Sequence, residues 1–221
     1  MLGTITITCL SVLSLVYLIK RKKEVVPNFK SALLVVLLGF VAFVMFAFRI
    51  HGFDLTVAFL NALQFVPLFL CMALAGAVAC KETKIPGIVS HKDLRKALKT
   101  IGIGLVFSLP LACLNSFNAY YMETQTVYDP MNSFVVSINA GINEEIPFRL
   151  FLLSFTMVLL LKSNLTRRNM LITASLISAF AHGVMHVEYG PIGIFFSSLI
   201  YGLPICYAFV KWGFEAGEEV V

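Results

Sequence analysis

Charged residues are scarce in this sequence. Only 13% of its 221 residues are Asp, Glu, Lys or Arg, and 59% are hydrophobic. Soluble domains carry about 25% charged residues, so this composition excludes an ordinary soluble fold and indicates an integral membrane protein. Cysteines are also few. They number five, an odd count, and all lie within apolar runs, so the sequence predicts no disulfide framework.

Apolar runs of membrane-spanning length recur along the chain. A spanning helix needs about 20 mostly apolar residues, and we identify seven such runs: Leu2–Ile19, Ser31–Phe48, Leu55–Cys80, Ile101–Tyr120, Asn132–Leu161, Met170–Val187 and Ile192–Val210. The first run is followed, not preceded, by basic residues, so we interpret it as a retained anchor rather than a signal peptide. The sequence therefore predicts an all-α, polytopic bundle of about seven spans, with one domain over residues 1–221.

Lysine and arginine predict the orientation of this bundle. Alternate connections hold all but two of the 17 basic residues, the exceptions being Arg49 and Arg149. By the positive-inside rule the N-terminus is outside and the C-terminus cytoplasmic, and we expect the cell membrane as the location. The placement of the basic residues as topology signals explains the net charge of +5. No nucleic-acid partner is needed to account for it. The basic loop at 81–99 is either an interfacial helix that contacts anionic lipid headgroups or a solvated loop.

Only two of the twelve acidic residues, Glu144 and Glu145, lie deep within a predicted span. Counted from Asn132, Glu144 is roughly 18 Å into a hydrocarbon core of about 30 Å. Counted from Met170 at the opposite face, His182 is also roughly 18 Å deep, so the two levels differ by about 6 Å. A charge at this depth costs about 2.5 to 3.5 kcal/mol and needs a partner or a wet cavity. We therefore expect the carboxylates and the imidazole to meet near the midplane.

The residues around Glu144 offer it polar neighbours. Glu145 and Arg149 are four residues apart on one helical face, and their ion pair either braces the spans or forms part of a site. Pro147 donates no backbone hydrogen bond, which frees the carbonyl of Asn143 and loosens the helix there. We expect a functional role for Glu144 and leave both interpretations of the Glu145–Arg149 pair open.

His182 and His186 are also four residues apart and share a helical face. Together with Glu144 they have the ligand types of a zinc site, in which the metal would activate a bound water. Alternatively, His182 is a packing residue and His186, close to the span end, is an interfacial one. The sequence favours the interfacial interpretation for His186. We expect no required metal; the ligands of any bound ion would be His182, His186 and Glu144.

The pattern E-E-x-x-x-R, formed by Glu144, Glu145 and Arg149 and followed one span later by His182, resembles the CAAX prenyl protease and bacteriocin-processing family (CPBP, or Abi). The resemblance covers roughly residues 130–212. It implies an intramembrane endopeptidase in which Glu144 activates water, His182 assists, and Glu145 with Arg149 holds the site in shape. Asn143 and His186 are candidates for residues that support this catalytic group. The implied substrate is a membrane-associated peptide or a prenylated protein tail, and the implied mechanism needs no obligatory metal.

Two positions depart from the family pattern. Ser178 stands where the F-x-x-x-H motif has its phenylalanine, with Phe180 displaced by two residues. The third motif, H-x-x-x-N, supports the oxyanion in that family, and no histidine or asparagine follows His186 in this sequence. Loss of one such donor costs about 2.7 to 4 kcal/mol, or about 10²- to 10³-fold in rate. A slow enzyme, a degenerate enzyme and an enzyme with substitute donors are all compatible with this difference.

Two further functions fit buried carboxylates and histidines. A non-catalytic immunity or regulatory protein would use the same cavity to bind a hydrophobic peptide. A proton-coupled transporter would also place carboxylates and histidine at the midplane, but the sequence contains no inverted repeat that would support it.

A cysteine in the basic loop tests the predicted orientation. In a background without the native cysteines, we expect Lys92→Cys to react with a membrane-impermeant maleimide only from the cytoplasmic side, because the positive-inside rule retains this loop there. Reaction from the outside of intact cells would overturn the orientation.

Overall fold

The computed structural model describes residues 2–87, 130–187 and 190–212. Within these ranges all regular structure is helical and no strand occurs, which confirms the all-α class. The predicted span Ile101–Tyr120 and the position Lys92 lie outside the described residues, as does most of the basic loop.

Within each described range the helices are joined by short connections. In chain order they are α1 (Leu2–Lys20), α2 (Lys22–Arg49), α3 (Leu55–Leu63), α4 (Val66–Thr83), α5 (Pro130–Asn143), π1 (Ile146–Leu153), α6 (Ser154–Leu160), α7 (Arg167–Val184), α8 (Gly190–Phe195), π2 (Phe196–Gly202) and α9 (Leu203–Trp212). The two π-helices have wider turns than an α-helix, a form that is rare and frequent at functional sites.

Three stretches of helix in the described ranges are long and apolar enough to cross a membrane. They are Lys22–Arg49, Val66–Thr83 and Gly190–Lys211, the last running through α8, π2 and α9. A shorter apolar helix covers Ile5–Lys20. These helices support an integral membrane protein, whereas the total of about seven spans and the outside N-terminus remain predictions.

The predicted span Leu55–Cys80 is wrong as a single helix. The chain forms α3 up to Leu63 and starts again as α4 at Val66, with Pro67 in the first turn of α4. Proline lacks a backbone N–H and is tolerated in the first turn of a helix, where that donor has no helical partner. Hydropathy alone does not register this break, because the residues on both sides of it are equally apolar.

α4 is the central helix of the first half of the chain. It packs against α1, α2, π1 and α6. Alanine and glycine fill its buried face, and Gly76 lies so close to the Leu150 carbonyl of π1 that a Cβ atom there would collide with it. Small residues permit this close backbone approach between helices in a membrane. The fold therefore anchors π1, which carries the motif residues, on α4.

Polar contacts tie several helix ends together at one end of the bundle. Arg21, between α1 and α2, pairs with Glu82 of α4 at 2.8 Å. Arg167, at the start of α7, donates to the carbonyl of Thr83 at 3.0 Å, satisfying an acceptor at the end of α4. Basic residues thus gather at this end, in agreement with the clustering on which the predicted topology depends.

α7 is held between the two π-helices. Its Ser178 hydroxyl donates to the Phe148 carbonyl of π1 at 2.7 Å, and both residues are buried. On the other side, Gly183 of α7 lies directly against Ser198 of π2, where a Cβ atom would collide with the serine hydroxyl. α7 therefore fixes the spacing between π1 and π2.

The Ser178 bond predicts a stability difference between two buried serines. Ser178→Ala leaves the Phe148 carbonyl buried without its donor, so we expect the free energy of unfolding to fall by about 1 to 3 kcal/mol. Ser198→Ala is the matched control, because within the described residues the Ser198 hydroxyl has no hydrogen-bond partner, and we expect no loss. The measurement is denaturant unfolding in detergent, followed by circular dichroism. Equal stability of the two variants would show that the Ser178 bond contributes nothing.

Candidate active site

Glu144 lies at the junction between an α-helix and a π-helix. α5 ends at Asn143 and π1 begins at Ile146, with Pro147 in its first turn. The Glu144 amide still donates to the Ala140 carbonyl at 3.0 Å, and its own carbonyl accepts from Phe148 at 3.3 Å. Proline removes a donor from this turn, and the backbone here changes from the α to the π arrangement. The carboxylate is therefore presented at a break in regular helical geometry.

The site lies near the middle of the bundle. Arg49, at the end of α2, donates to Asn132 of α5 at 2.8 Å, so these two residues mark one end. From Asn132, Glu144 is about 18 Å along its helix, and from Arg167 at the other end His182 is about 22 Å along α7. α2 has 28 residues and so covers about 42 Å. The two distances together nearly equal the length of α2, whereas the position of the site relative to the membrane midplane stays a prediction.

Glu144 and His182 form a direct hydrogen bond. Glu144 Oε2 is 2.8 Å from His182 Nε2, and the other ring nitrogen, Nδ1, is 3.3 Å from the carbonyl oxygen of Ser197 in π2. A carbonyl only accepts, so Nδ1 carries a proton. The short contact at Nε2 then requires a second proton between carboxylate and imidazole. Glu144 and His182 therefore share one proton, whichever atom holds it.

Burial differs between the two partners. His182 is 5% exposed, whereas 37% of the Glu144 side chain is accessible. The carboxylate is thus the member of the pair that a water or a substrate can reach. The imidazole lies behind it.

The aromatic ring beside His182 comes from π1 rather than from α7. The edge of the Phe148 ring faces the imidazole with 5.5 Å between ring centroids, whereas Phe180 is 62% exposed and points away. Ser178, one turn before His182, is needed for the bond to Phe148. Ser178 thus stands in place of the motif phenylalanine as a small hydrogen-bond donor to π1. The aromatic ring beside His182 is then supplied by Phe148 of π1.

Glu145 forms an ion pair with Arg149. Glu145 Oε1 is 3.4 Å from Arg149 Nη1, and Arg149 is completely buried. In the described part of the chain none of the three guanidinium nitrogens has a well-formed hydrogen bond, so the contact is an ion pair by proximity. The two adjacent glutamates therefore have different neighbours, an imidazole for one and a guanidinium for the other.

His186 lies beside the Glu144–His182 pair. Its ring centroid is 5.2 Å from that of His182, and ligand atoms of Glu144, His182 and His186 all lie within 4.8 Å of one another. The sequence favours an interfacial position for His186. The structure instead brings its half-buried imidazole to the cluster.

Asn143 is directed elsewhere. Its amide nitrogen donates to the Gly39 carbonyl of α2 at 3.2 Å and to Asn139 Oδ1 at 2.8 Å. The bond to Gly39 joins α5 to α2, and the bond to Asn139 lies within α5. Asn143 thus contributes to the packing of α5 against α2, one residue before Glu144.

The three clustered residues have the donor types of a zinc site. Zinc binds histidine nitrogen and carboxylate oxygen at about 2.0 to 2.2 Å, so two ligands of a tetrahedral ion lie about 3.3 Å apart. The Glu144–His182 separation of 2.8 Å is shorter and fits a shared proton. A zinc ion would be held by Glu144, His182 and His186 once Glu144 and His182 move slightly apart. The ion would supply an activated water.

The Ser197 carbonyl is the contact at this site that sequence patterns miss. It holds His182 Nδ1, yet any residue type would supply the same atom. Two serines follow one another at 197 and 198, but nothing in that pattern predicts a role for the backbone.

Comparison with known families gives a match over the part of the chain that carries the site. Residues 126–216 match the family model described as Rce1-like, type II CAAX prenyl endopeptidase Rce1-like. The match includes the whole cluster and the Glu145–Arg149 pair, while α1 to α4 lie outside it. No curated protein and no solved structure matches the chain. The segment that forms the site is therefore similar to the CPBP family of CAAX-type membrane endopeptidases.

Proposed function

We propose that this protein is an intramembrane endopeptidase that hydrolyses a peptide bond in a membrane-associated peptide or a prenylated protein tail, in the cell membrane. The observation that carries the proposal is the 2.8 Å bond between Glu144 and a buried His182 near mid-height of an apolar bundle. The family match over the same residues adds support for the reaction class and for a prenylated or peptide substrate.

The reaction begins with a water bound to Glu144. The carboxylate accepts a proton from this water as its oxygen forms a bond to the scissile carbonyl carbon, and the carbonyl electron pair moves to the carbonyl oxygen. The C–N bond then breaks as the proton passes from the Glu144–His182 pair to the departing nitrogen. His182 holds the carboxylate in position, and the Ser197 carbonyl holds His182.

Glu145 and Arg149 have a supporting role in this proposal. A wholly buried guanidinium needs a negative partner because an isolated charge in an apolar interior is strongly unfavourable. Glu145 is that partner at 3.4 Å. By pairing with Arg149, Glu145 stays out of the reaction and fixes the first turns of π1, next to Glu144.

Replacement of Glu144 tests catalysis directly. Glu144→Gln keeps size and hydrogen bonding but cannot accept a proton, so we expect hydrolysis to fall by about 10²-fold or more while the protein still folds. The measurement is cleavage of a farnesylated peptide and of its unmodified form by purified protein in detergent. Glu24→Gln, an equivalent change at a half-buried glutamate far from the site, is the control and keeps wild-type activity. If wild type binds these peptides without cutting and Glu144→Gln binds equally well, a peptide-binding protein replaces the protease.

Replacement of Glu145 separates support from catalysis. Glu145→Gln leaves Arg149 as a buried charge without its partner, which for such pairs costs about 3 to 5 kcal/mol of unfolding free energy. We expect the double variant Glu145→Gln with Arg149→Met to recover most of that loss, because an apolar side chain removes the unpaired charge. Denaturant unfolding in detergent measures both. If Glu145→Gln alone is as stable as wild type, the bracing role of the Glu145–Arg149 pair is contradicted.

A further inference from the structure

Two carboxamide side chains lie on the outer face of α3. Asn61 and Gln64 are three residues apart at the end of this helix, and Gln64 still has helical backbone angles. Residues at spacings of three, four and seven share one face of a helix, which adds Val57 and Leu60 to the same face. Val57 is 45% and Leu60 58% exposed, while Gln64 is exposed and Asn61 half-buried. These four residues form the α3 stripe.

The carboxamides of the α3 stripe lie well inside the apolar part of the bundle. The ring centroids of Phe40 in α2 and Phe59 in α3 are 5.2 Å apart, and those of Phe43 and Phe65 are 5.3 Å apart. Both carboxamides fall between Phe59 and Phe65 in the sequence. Because Phe40 and Phe43 are about 14 and 9 Å from Arg49 along α2, the carboxamides are also about 9 to 14 Å from that charged end.

The stripe faces away from the body of the protein. In the described part of the chain α3 packs chiefly against α2, and its buried residues, Ala58 and Ala62, lie on a different side of the helix from the stripe. Gln64 Nε2 is 3.4 Å from Asn61 Oδ1, and among the described residues this is the hydrogen bond that the two side chains make. A carboxamide offers two donor hydrogens and an acceptor oxygen with two lone pairs. One long contact therefore leaves most of this capacity open.

Open carboxamides on an apolar outer face favour association with another helix. A polar group without a hydrogen-bond partner is unfavourable in hydrocarbon. Asparagine and glutamine side chains accordingly bond across helix interfaces in membranes. We infer that the α3 stripe is a self-association surface, on which a second copy of this chain docks and the carboxamides of the two copies bond to each other. The inference goes beyond the proposed function, because α3 lies outside the segment that carries the site.

Symmetry argues for a second copy as the partner. Two copies inserted in the same direction are related by a two-fold axis along the membrane normal, and such an axis brings each residue opposite its own equivalent at the same depth. A carboxamide is both donor and acceptor, so it is complementary to its own copy. A different helix would need a polar group at this particular depth. Val57 and Leu60 supply apolar packing around the bonded amides.

A reporter cysteine beside the carboxamides tests the contact while both of them stay in place. In a background without the native cysteines, Leu60→Cys is compared with Leu176→Cys. Leu176 is 48% exposed and lies on α7, in the other half of the bundle. The purified full chain is reconstituted in phosphatidylcholine vesicles and oxidised. We expect Leu60→Cys to form a disulfide-linked species of twice the monomer mass, because residues close to a two-fold axis reach the Cα separation of about 4.4 to 6.8 Å that a disulfide needs. Leu176→Cys stays monomeric.

Replacement of the carboxamides measures their contribution to association. Resonance energy transfer between donor- and acceptor-labelled copies, followed while the vesicles are diluted with lipid, gives the dissociation constant of the dimer. We expect Asn61→Leu with Gln64→Leu to raise this constant about tenfold or more, which is the order that interhelical amide bonds contribute in membranes. The matched control exchanges the two residues, Asn61→Gln with Gln64→Asn. It keeps both carboxamides and retains most of the affinity.

Unfolding of the monomer distinguishes lost association from lost folding. In detergent, at a protein concentration without energy transfer, we expect the leucine variant to be as stable as wild type because the stripe is on the outer face of α3. Lower stability of that monomer would overturn the inference, since the carboxamides would then bond to a segment of their own chain. Absence of energy transfer for wild type in vesicles, an unchanged dissociation constant for the leucine variant, or equal cross-linking of the two reporter cysteines would overturn it as well.

Discussion

The buried guanidinium of Arg149 is the constraint on which the arrangement of the site depends. It is completely enclosed and has Glu145 as its charged neighbour at 3.4 Å. Burying such a charge is tolerated only when a counter-charge accompanies it. The pairing fixes the direction of the Glu145 side chain, one residue before π1. Glu144, about 100° further around the chain axis, then faces α7 and meets His182.

The two π-helices turn this constraint into a defined geometry. Each offers a backbone carbonyl to a side chain of α7: Phe148 accepts from Ser178, and Ser197 lies 3.3 Å from His182. Ser178 and His182 are one turn apart on α7, so a single helical face bonds to both neighbours. In regular α-helices these carbonyls would be directed along the helix axis. The wider π turns suit contacts across to a neighbouring helix, as is common where such turns occur at functional sites.

The sequence predicts the side-chain pairs of the candidate site better than it predicts the helices around them. Counting residues at 1.5 Å each brings Glu144 and His182 to one level because rise per residue is nearly constant, and the spacing of four pairs Glu145 with Arg149 for the same reason. Hydropathy does not detect the break before Val66, since both sides are apolar. It also cannot show that Asn143 turns toward Gly39, or that a backbone carbonyl at Ser197 holds the imidazole, because such contacts depend on neighbours distant in the chain.

Charge balance decides which chemistry this cluster favours. A proton shared by Glu144 and His182 makes that pair neutral overall, and Glu145 with Arg149 forms a second neutral pair. A divalent cation held by Glu144 and two neutral histidines would leave one uncompensated positive charge near mid-height of an apolar bundle, where an unpaired charge is expensive. It would also require the 2.8 Å Glu144–His182 contact to open to about 3.3 Å. Both effects are compatible with the proposed carboxylate that works through a shared proton and a bound water.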